Sequence, residues 1–249
     1  MYAKSDIFLV TGGTSGIGKG VVLELNKLGA SVVVIGKSID KFNALKEVAI
    51  SSDNLFFEER DLSLSDDLDK FVLQIAKQYG KLKGMVLCAG VLEILPLNAN
   101  SLEKSKNLFE INYFSGMQLI KGFCDKRANV SEDCSIVWVS SVASLRGYSS
   151  LSTYSASKGA INSAVKSLAP EIAKSNIRIN ALLPGFVKTE MIDKHKDVYN
   201  DEFINMMEGA YPLGVGEVDD VVKPILFLLS DDARWITGTN MVVDGGGSI

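Results

Sequence analysis

A doubly wound α/β fold, one mainly parallel sheet with helices on both faces, is predicted by three features of this 249-residue sequence. Short β-branched runs alternate with longer amphipathic stretches, the rhythm of successive βαβ units. The runs are apolar throughout, as in Val32-Val33-Val34-Ile35, which suits strands buried on both sides. A glycine-rich turn, Thr11 to Gly18, links the first run to the first amphipathic stretch.

The elements follow in order. Ile7–Thr11 reads as a strand and Ile17–Leu28 as a helix. Ser31–Ile35 is a strand and Ile39–Ile50 a helix. Leu55–Glu58 is a strand and Asp66–Tyr79 a helix. Met85–Cys88 is a strand, followed by a long helix within Leu102–Lys126. Ser135–Val139 is a strand and Thr153–Lys174 a helix. Pro170 lacks a backbone N–H and is expected to kink or end that helix, well past Lys158. Arg178–Leu183 is a strand, Val218–Leu229 a helix and Met241–Val243 a last short strand. No linker, repeat or low-complexity segment interrupts the series, so residues 1–249 read as a single domain.

Composition narrows the function. The chain is 47% hydrophobic and 22% charged, a globular balance. Its net charge of −4 gives no basic footprint for nucleic acid or an acidic membrane. No apolar run approaches the roughly 20 residues of a membrane helix. The N-terminus does not read as a signal peptide. Cys88, Cys124 and Cys134 follow no metal-ligand spacing, and their odd number argues against a disulfide framework. A cytoplasmic protein without a metal centre is expected. The single histidine, His195, reads as a surface residue and leaves Ser-His-Asp chemistry one candidate base.

Two stretches carry chemistry. In the first turn, Gly12, Gly16 and Gly18 permit a tight bend and let a dinucleotide's diphosphate approach the backbone at a helix N-terminus. The spacing is not that of a P-loop, because no Gly-Lys-Ser/Thr ends it. An acid about 20 residues on would hold the ribose 2′-hydroxyl of NAD. The second strand ends instead in Ile35-Gly36-Lys37-Ser38, where Lys37 suits a 2′-phosphate, so NADP(H) is favoured over NAD(H). The second stretch is Ser141–Lys158. Tyr154 and Lys158 stand four apart, so on a helix they share a face. A cation within roughly 4–6 Å is expected to lower the tyrosine pKa from about 10 and suit it to proton transfer near neutral pH.

With these residues in view, the chain resembles the short-chain dehydrogenase/reductase family from Ile7 to Gly247. Thr11–Gly18 matches the family's T-G-x-x-x-G-x-G. Asp61, with Leu62 after it, matches the acid that contacts adenine. Cys88-Ala89-Gly90 stands where Asn-Ala-Gly is usual. Asn112, Ser141, Tyr154 and Lys158 match the catalytic tetrad. Pro184-Gly185 and Thr189 match the segment holding the nicotinamide half, and Val243-Asp244-Gly245-Gly246 the C-terminal end.

The resemblance implies a Rossmann fold with strand order 3-2-1-4-5-6-7 and a homotetramer built on two long helices and the last strand. It implies cofactor contacts from Gly12, Thr14, Ser15, Gly16, Ile17, Gly18, Lys37, Asp61, Leu62, Ala89, Gly90, Tyr154, Lys158, Pro184, Gly185, Val187 and Thr189. Hydride would pass between nicotinamide and a carbonyl carbon. Ser141 and Tyr154 would hydrogen-bond the oxygen, Tyr154 would move the proton, Lys158 would hold the ribose, and Asn112 would position a water through a kinked helix. Cys88 departs from the pattern, so the hydrogen bonds of the usual asparagine need another source. Ser15 stands where many NADP-using members have a basic residue. The arginines by which acyl-carrier-protein reductases dock their carrier are missing near Glu132 and Ser175, where Lys126, Arg127 and Lys174 are candidates to replace them.

Residues 186–216, rich in Met and aromatics, read as a helical lid over an apolar substrate pocket. Arg146 and Tyr148 lie where, by the resemblance, the loop would face substrate; Arg146 is a candidate to hold a carboxylate or phosphate, or to pair with a surface acid. Trp138 and Trp235 read as core or interface packing. The substrate is expected to be a small-molecule or acyl-thioester carbonyl, as in 3-oxoacyl-carrier-protein reductases. A sugar, steroid or other secondary-alcohol dehydrogenase is the alternative enzyme, and a non-catalytic cofactor-binding regulator the alternative of another class.

Overall fold

The computed structural model describes residues 2–64, 66–193 and 198–249. Among these, seven strands form one sheet in the order β3-β2-β1-β4-β5-β6-β7, every pair parallel. They are β1 (Ile7–Thr11), β2 (Ser31–Gly36), β3 (Leu55–Glu59), β4 (Leu82–Leu87), β5 (Cys134–Val139), β6 (Ile177–Pro184) and β7 (Asn240–Val243). The helices are α1 (Gly16–Lys27), α2 (Ile39–Val48), α3 (Leu68–Tyr79), α4 (Leu102–Phe109), α5 (Ser115–Phe123), α6 (Ser152–Ile172), α7 (Glu190–Asp193), α8 (Asp201–Ala210) and α9 (Val218–Leu229).

The apolar runs are strands because both their faces are covered. In β1, Leu9 joins a core shared with α3, α5 and α6. Its neighbours Phe8 and Val10 join the opposite core with α1 and α9. Successive strand side chains point to opposite faces, so burial on both sides requires apolar residues without alternation. Ser38 caps α2 by accepting from the Lys41 N–H, and Glu217 and Asp220 form a reciprocal box at the start of α9.

The fold departs from expectation in detail. Pro170 lies inside α6, which stops two residues later at Ile172. The stretch Leu102–Lys126 is not one regular helix. A π-helical turn, Glu110–Phe114, separates α4 from α5. Trp138 is buried and stacks on Tyr113, as core packing requires, whereas Trp235 is 93% exposed and belongs to no core. No helix among the described residues is long and apolar enough to cross a membrane.

The strand order reverses between β1 and β4, whose outgoing connections leave toward opposite faces. That divergence opens a crevice at the carboxyl ends of the strands.

Candidate active site

The crevice is a cleft of about 570 Å³, within the range of small-molecule and cofactor pockets. The turn after β1 forms one wall. Gly12 has φ +63° and Gly16 φ +50°, a region side chains disfavour. A Cβ on Gly18 would lie 2.4 Å from the Gly12 carbonyl oxygen, so the turn can close only with glycine there. Ser15 precedes α1 and makes no side-chain capping bond. The Gly16 N–H instead donates to Glu190 Oε2 at 2.7 Å. An anionic oxygen therefore already sits on this helix N-terminus.

The opposite wall comes from β5 and α6. Ser141 follows β5, and its Oγ accepts from the Ala143 N–H at 3.2 Å. Tyr154 lines the same cleft, and Ser141 is near enough to pull its pKa down. One helical turn on, Lys158 Nζ lies 5.7 Å from the centre of the Tyr154 ring. Nζ donates to the Val139 carbonyl at 3.0 Å, and the Ser140 hydroxyl donates to the Lys158 carbonyl at 3.0 Å. The last residue of β5 thus holds the ammonium of Lys158, and the residue after the strand holds its backbone.

Asn112 sits in the π turn and is 1% exposed. Its Oδ1 accepts from the Val91 N–H at 2.8 Å, and its Nδ2 donates to the Val91 carbonyl at 3.0 Å and the Ser157 hydroxyl at 3.1 Å. A Cβ on Gly90 would lie 3.3 Å from Asn112 Oδ1 and 3.4 Å from Lys158 Nζ, so Gly90 lets the two groups converge.

The electrostatics correct one expectation. Burial pushes the Tyr154 phenol up to about 12, against a smaller downward pull from Ser141. Burial also pulls the Lys158 ammonium down to about 8. Proximity of a cation was expected to make the tyrosine more acidic. No such pull from Lys158 acts on the phenol here; loss of water sets both values, because desolvation disfavours the charged form of each group.

Of the residues singled out from sequence, Gly12, Ser15, Gly16, Ile17, Gly18, Ala89, Gly90, Ser141, Tyr154, Lys158, Pro184, Gly185, Val187 and Thr189 line the cleft. Thr14, Lys37, Asp61, Leu62 and Asn112 do not line it. Leu62 is buried in the core, and Thr14 packs beside Gly36. Lys37, leaving β2, and Asp61, just after β3, form a 2.8 Å ion pair. The Lys37 ammonium holds the Asp61 carboxyl down at about 2.

The bond expected to be missing at Cys88 is made elsewhere. The Thr11 hydroxyl accepts from the Ala89 N–H at 3.0 Å and ties β1 to the end of β4. Burial pushes the Cys88 thiol up to about 12. Arg146 Nη1 donates to the Gly247 carbonyl at 2.7 Å, and among the described residues it forms no ion pair with an acid. Within 186–216, Phe186, Tyr199 and Phe203 form an aromatic trio with centroids 5.1–5.6 Å apart, and all three line the cleft. His195 lies outside the described residues. Sequence reasoning missed Glu190, the Val139 carbonyl and the cleft-lining Leu92 and Ile94.

Known proteins share this architecture. A family model described as enoyl-(acyl carrier protein) reductase matches residues 12–248. A tropinone reductase homologue of Arabidopsis thaliana is 34% identical over 241 residues, covering 96% of this chain and 90% of the relative. A 3-oxoacyl-[acyl-carrier-protein] reductase of Thermotoga maritima is 30% identical over 251 residues, covering 99% of both. The structure of ElxO with NADP bound has TM-score 0.88 and 29% identity, with 98% of each chain covered. That of 4-hydroxyisoleucine dehydrogenase with NADH has TM-score 0.88 and 26% identity over the same shares.

Proposed function

The chain belongs to the short-chain dehydrogenase/reductase family and is an NAD(P)-dependent oxidoreductase; from that premise we propose that it is an NADP(H)-preferring carbonyl reductase whose chemistry rests on Ser141, Tyr154, Lys158 and Asn112. One observation carries the reading. Ser141, Tyr154 and Lys158 line one cleft with the glycine turn, Lys158 one helical turn from Tyr154 with its Nζ 5.7 Å from the Tyr154 ring centre.

The bound dinucleotide supplies the hydride exchanged with the carbonyl carbon. Charge then develops on the carbonyl oxygen. Ser141 and Tyr154 are positioned to donate hydrogen bonds to that oxygen, and Tyr154 to deliver its proton. A phenol pushed up to about 12 stays protonated at neutral pH, as an acid in the reductive direction must. Lys158, its Nζ tied to Val139, holds the ribose hydroxyls and keeps positive charge beside the phenolate left after proton transfer. Asn112 has its side chain committed to Val91 and Ser157. Its role is therefore through the backbone, where the π turn loosens the helix for a proton-carrying water.

Lys37 at the end of β2, with no acid at the strand end, supports NADP(H) over NAD(H). Residues 186–216 act as the lid of a single domain, closing apolar side chains over a small-molecule or acyl-thioester carbonyl. The exposed Phe114 and Leu102 on the α4–α5 face, and Val242 on β7, support a homotetramer built on those elements. The composition fits a cytoplasmic enzyme. The test is oxidation of NADPH and NADH across ketones, aldehydes and a 3-oxoacyl thioester. Carbonyl-dependent turnover, faster with NADPH, is expected. Cofactor binding without turnover on any carbonyl would contradict the catalytic reading.

A further inference from the structure

The Glu190 carboxylate is 174 residues from Gly16 in sequence, yet it accepts the Gly16 N–H at 2.7 Å. Gly16 is the first residue of α1, and that helix has no acid in its own first turn. Its N-terminal N–H groups carry partial positive charge with no intrahelical acceptor. Glu190 satisfies one of them. Thr189 packs on the same glycine, its Cβ 3.5 Å from where a Gly16 Cβ would lie. The backbone that follows is tied back on itself, Ile192 N–H donating to the Thr189 carbonyl at 3.0 Å. Met191 and Ile192 line the same cleft as Tyr154.

We propose that Glu190 occupies the place of the cofactor's diphosphate and sets cofactor affinity by competing with it for the Gly16 N–H. This rests on the reading of the cleft as the dinucleotide site. Two anions do not share one N–H in contact, so a diphosphate arriving there displaces the carboxylate. Displacement releases Thr189–Ile192 from the turn and changes the wall of the substrate side. Removing the carboxylate removes the competitor and leaves the turn intact.

The experiment is titration of the wild type, Glu190→Ala and Glu190→Gln with two ligands. One is NADPH. The other is adenosine 2′-monophosphate, which carries the adenosine end and no diphosphate. An anion at a helix N-terminus contributes enough that its loss should tighten NADPH about 3- to 10-fold in Glu190→Ala. Adenosine 2′-monophosphate should change by less than about twofold. Glu190→Gln keeps the shape without the charge and should fall between. Hydrogen exchange at the Gly16 amide, without ligand, should be faster in Glu190→Ala than in the wild type. Unchanged or weaker NADPH binding, equal tightening of both ligands, or unaltered exchange at Gly16 would each overturn the proposal. Failure of the wild type to bind either NADPH or NADH would sink the reading of the cleft instead.

Discussion

Replacing Lys158 with Met should abolish turnover and make the cofactor-free protein more stable at neutral pH. Lys158 is 5% exposed, and its ammonium faces no acid within 4 Å among the described residues. Burial lowers its pKa from 10.5 to about 8. At about 1.4 kcal/mol per tenfold change in proton affinity, keeping it charged at pH 7 costs the fold about 3 kcal/mol. The hydrogen bond to Val139 offsets about half of that. Met keeps the aliphatic stem and lacks the charge, so Lys158→Met should gain about 1–2 kcal/mol at pH 7. The sign of the pH dependence follows. The folded pKa lies below the unfolded one, so the penalty is complete below about 8 and fades toward 10.5. Urea unfolding of both proteins at pH 7 and pH 10 measures it, since other groups titrate alike in the two. The wild type should recover about 2–3 kcal/mol relative to the variant between those values. Parallel stability curves would refute the argument that the active site stores this cost in a buried cation.

Two further outcomes follow from the geometry. Gly18→Ala puts a methyl 2.4 Å from the Gly12 carbonyl, where only backbone can move. It should weaken NADPH binding at least tenfold and lower stability by about 1–3 kcal/mol, read by calorimetry and urea unfolding. Lys37→Ala removes the cation at the end of β2 while leaving the cleft lining untouched. KM for NADPH should rise severalfold with KM for NADH nearly unchanged, as steady-state kinetics would show.

The centre of the sheet was legible because β1 and β2 are buried on both faces and therefore almost wholly apolar, whereas the edge strands β3 and β7 are only partly covered. Ile7–Thr11 and Val218–Leu229 begin and end where the pattern of residues places them. The glycine turn and the Tyr154–Lys158 spacing were legible for a related reason, since backbone geometry and helix period are local properties. Distant contacts were not. Nothing near Glu190 in sequence points to Gly16, and nothing near Arg146 points to Gly247, because chain separation hides both bonds. The π turn at Asn112 leaves the amphipathic pattern of α4 and α5 nearly continuous, so periodicity alone did not resolve it. The direction of the Tyr154 shift was misjudged because spacing gives proximity to a cation but not the burial that governs both groups. Of the two places open to Trp235, core or interface, the core is excluded by its 93% exposure, and local sequence carries no signal that separates them.

The account stands on the Tyr154 hydroxyl as the group that moves the proton. The most direct measurement is carbonyl-dependent NADPH oxidation by Tyr154→Phe, beside its NADPH affinity and unfolding midpoint. At least a ~10²-fold loss in kcat, with affinity and fold retained, is expected. Turnover at the wild-type rate would contradict it.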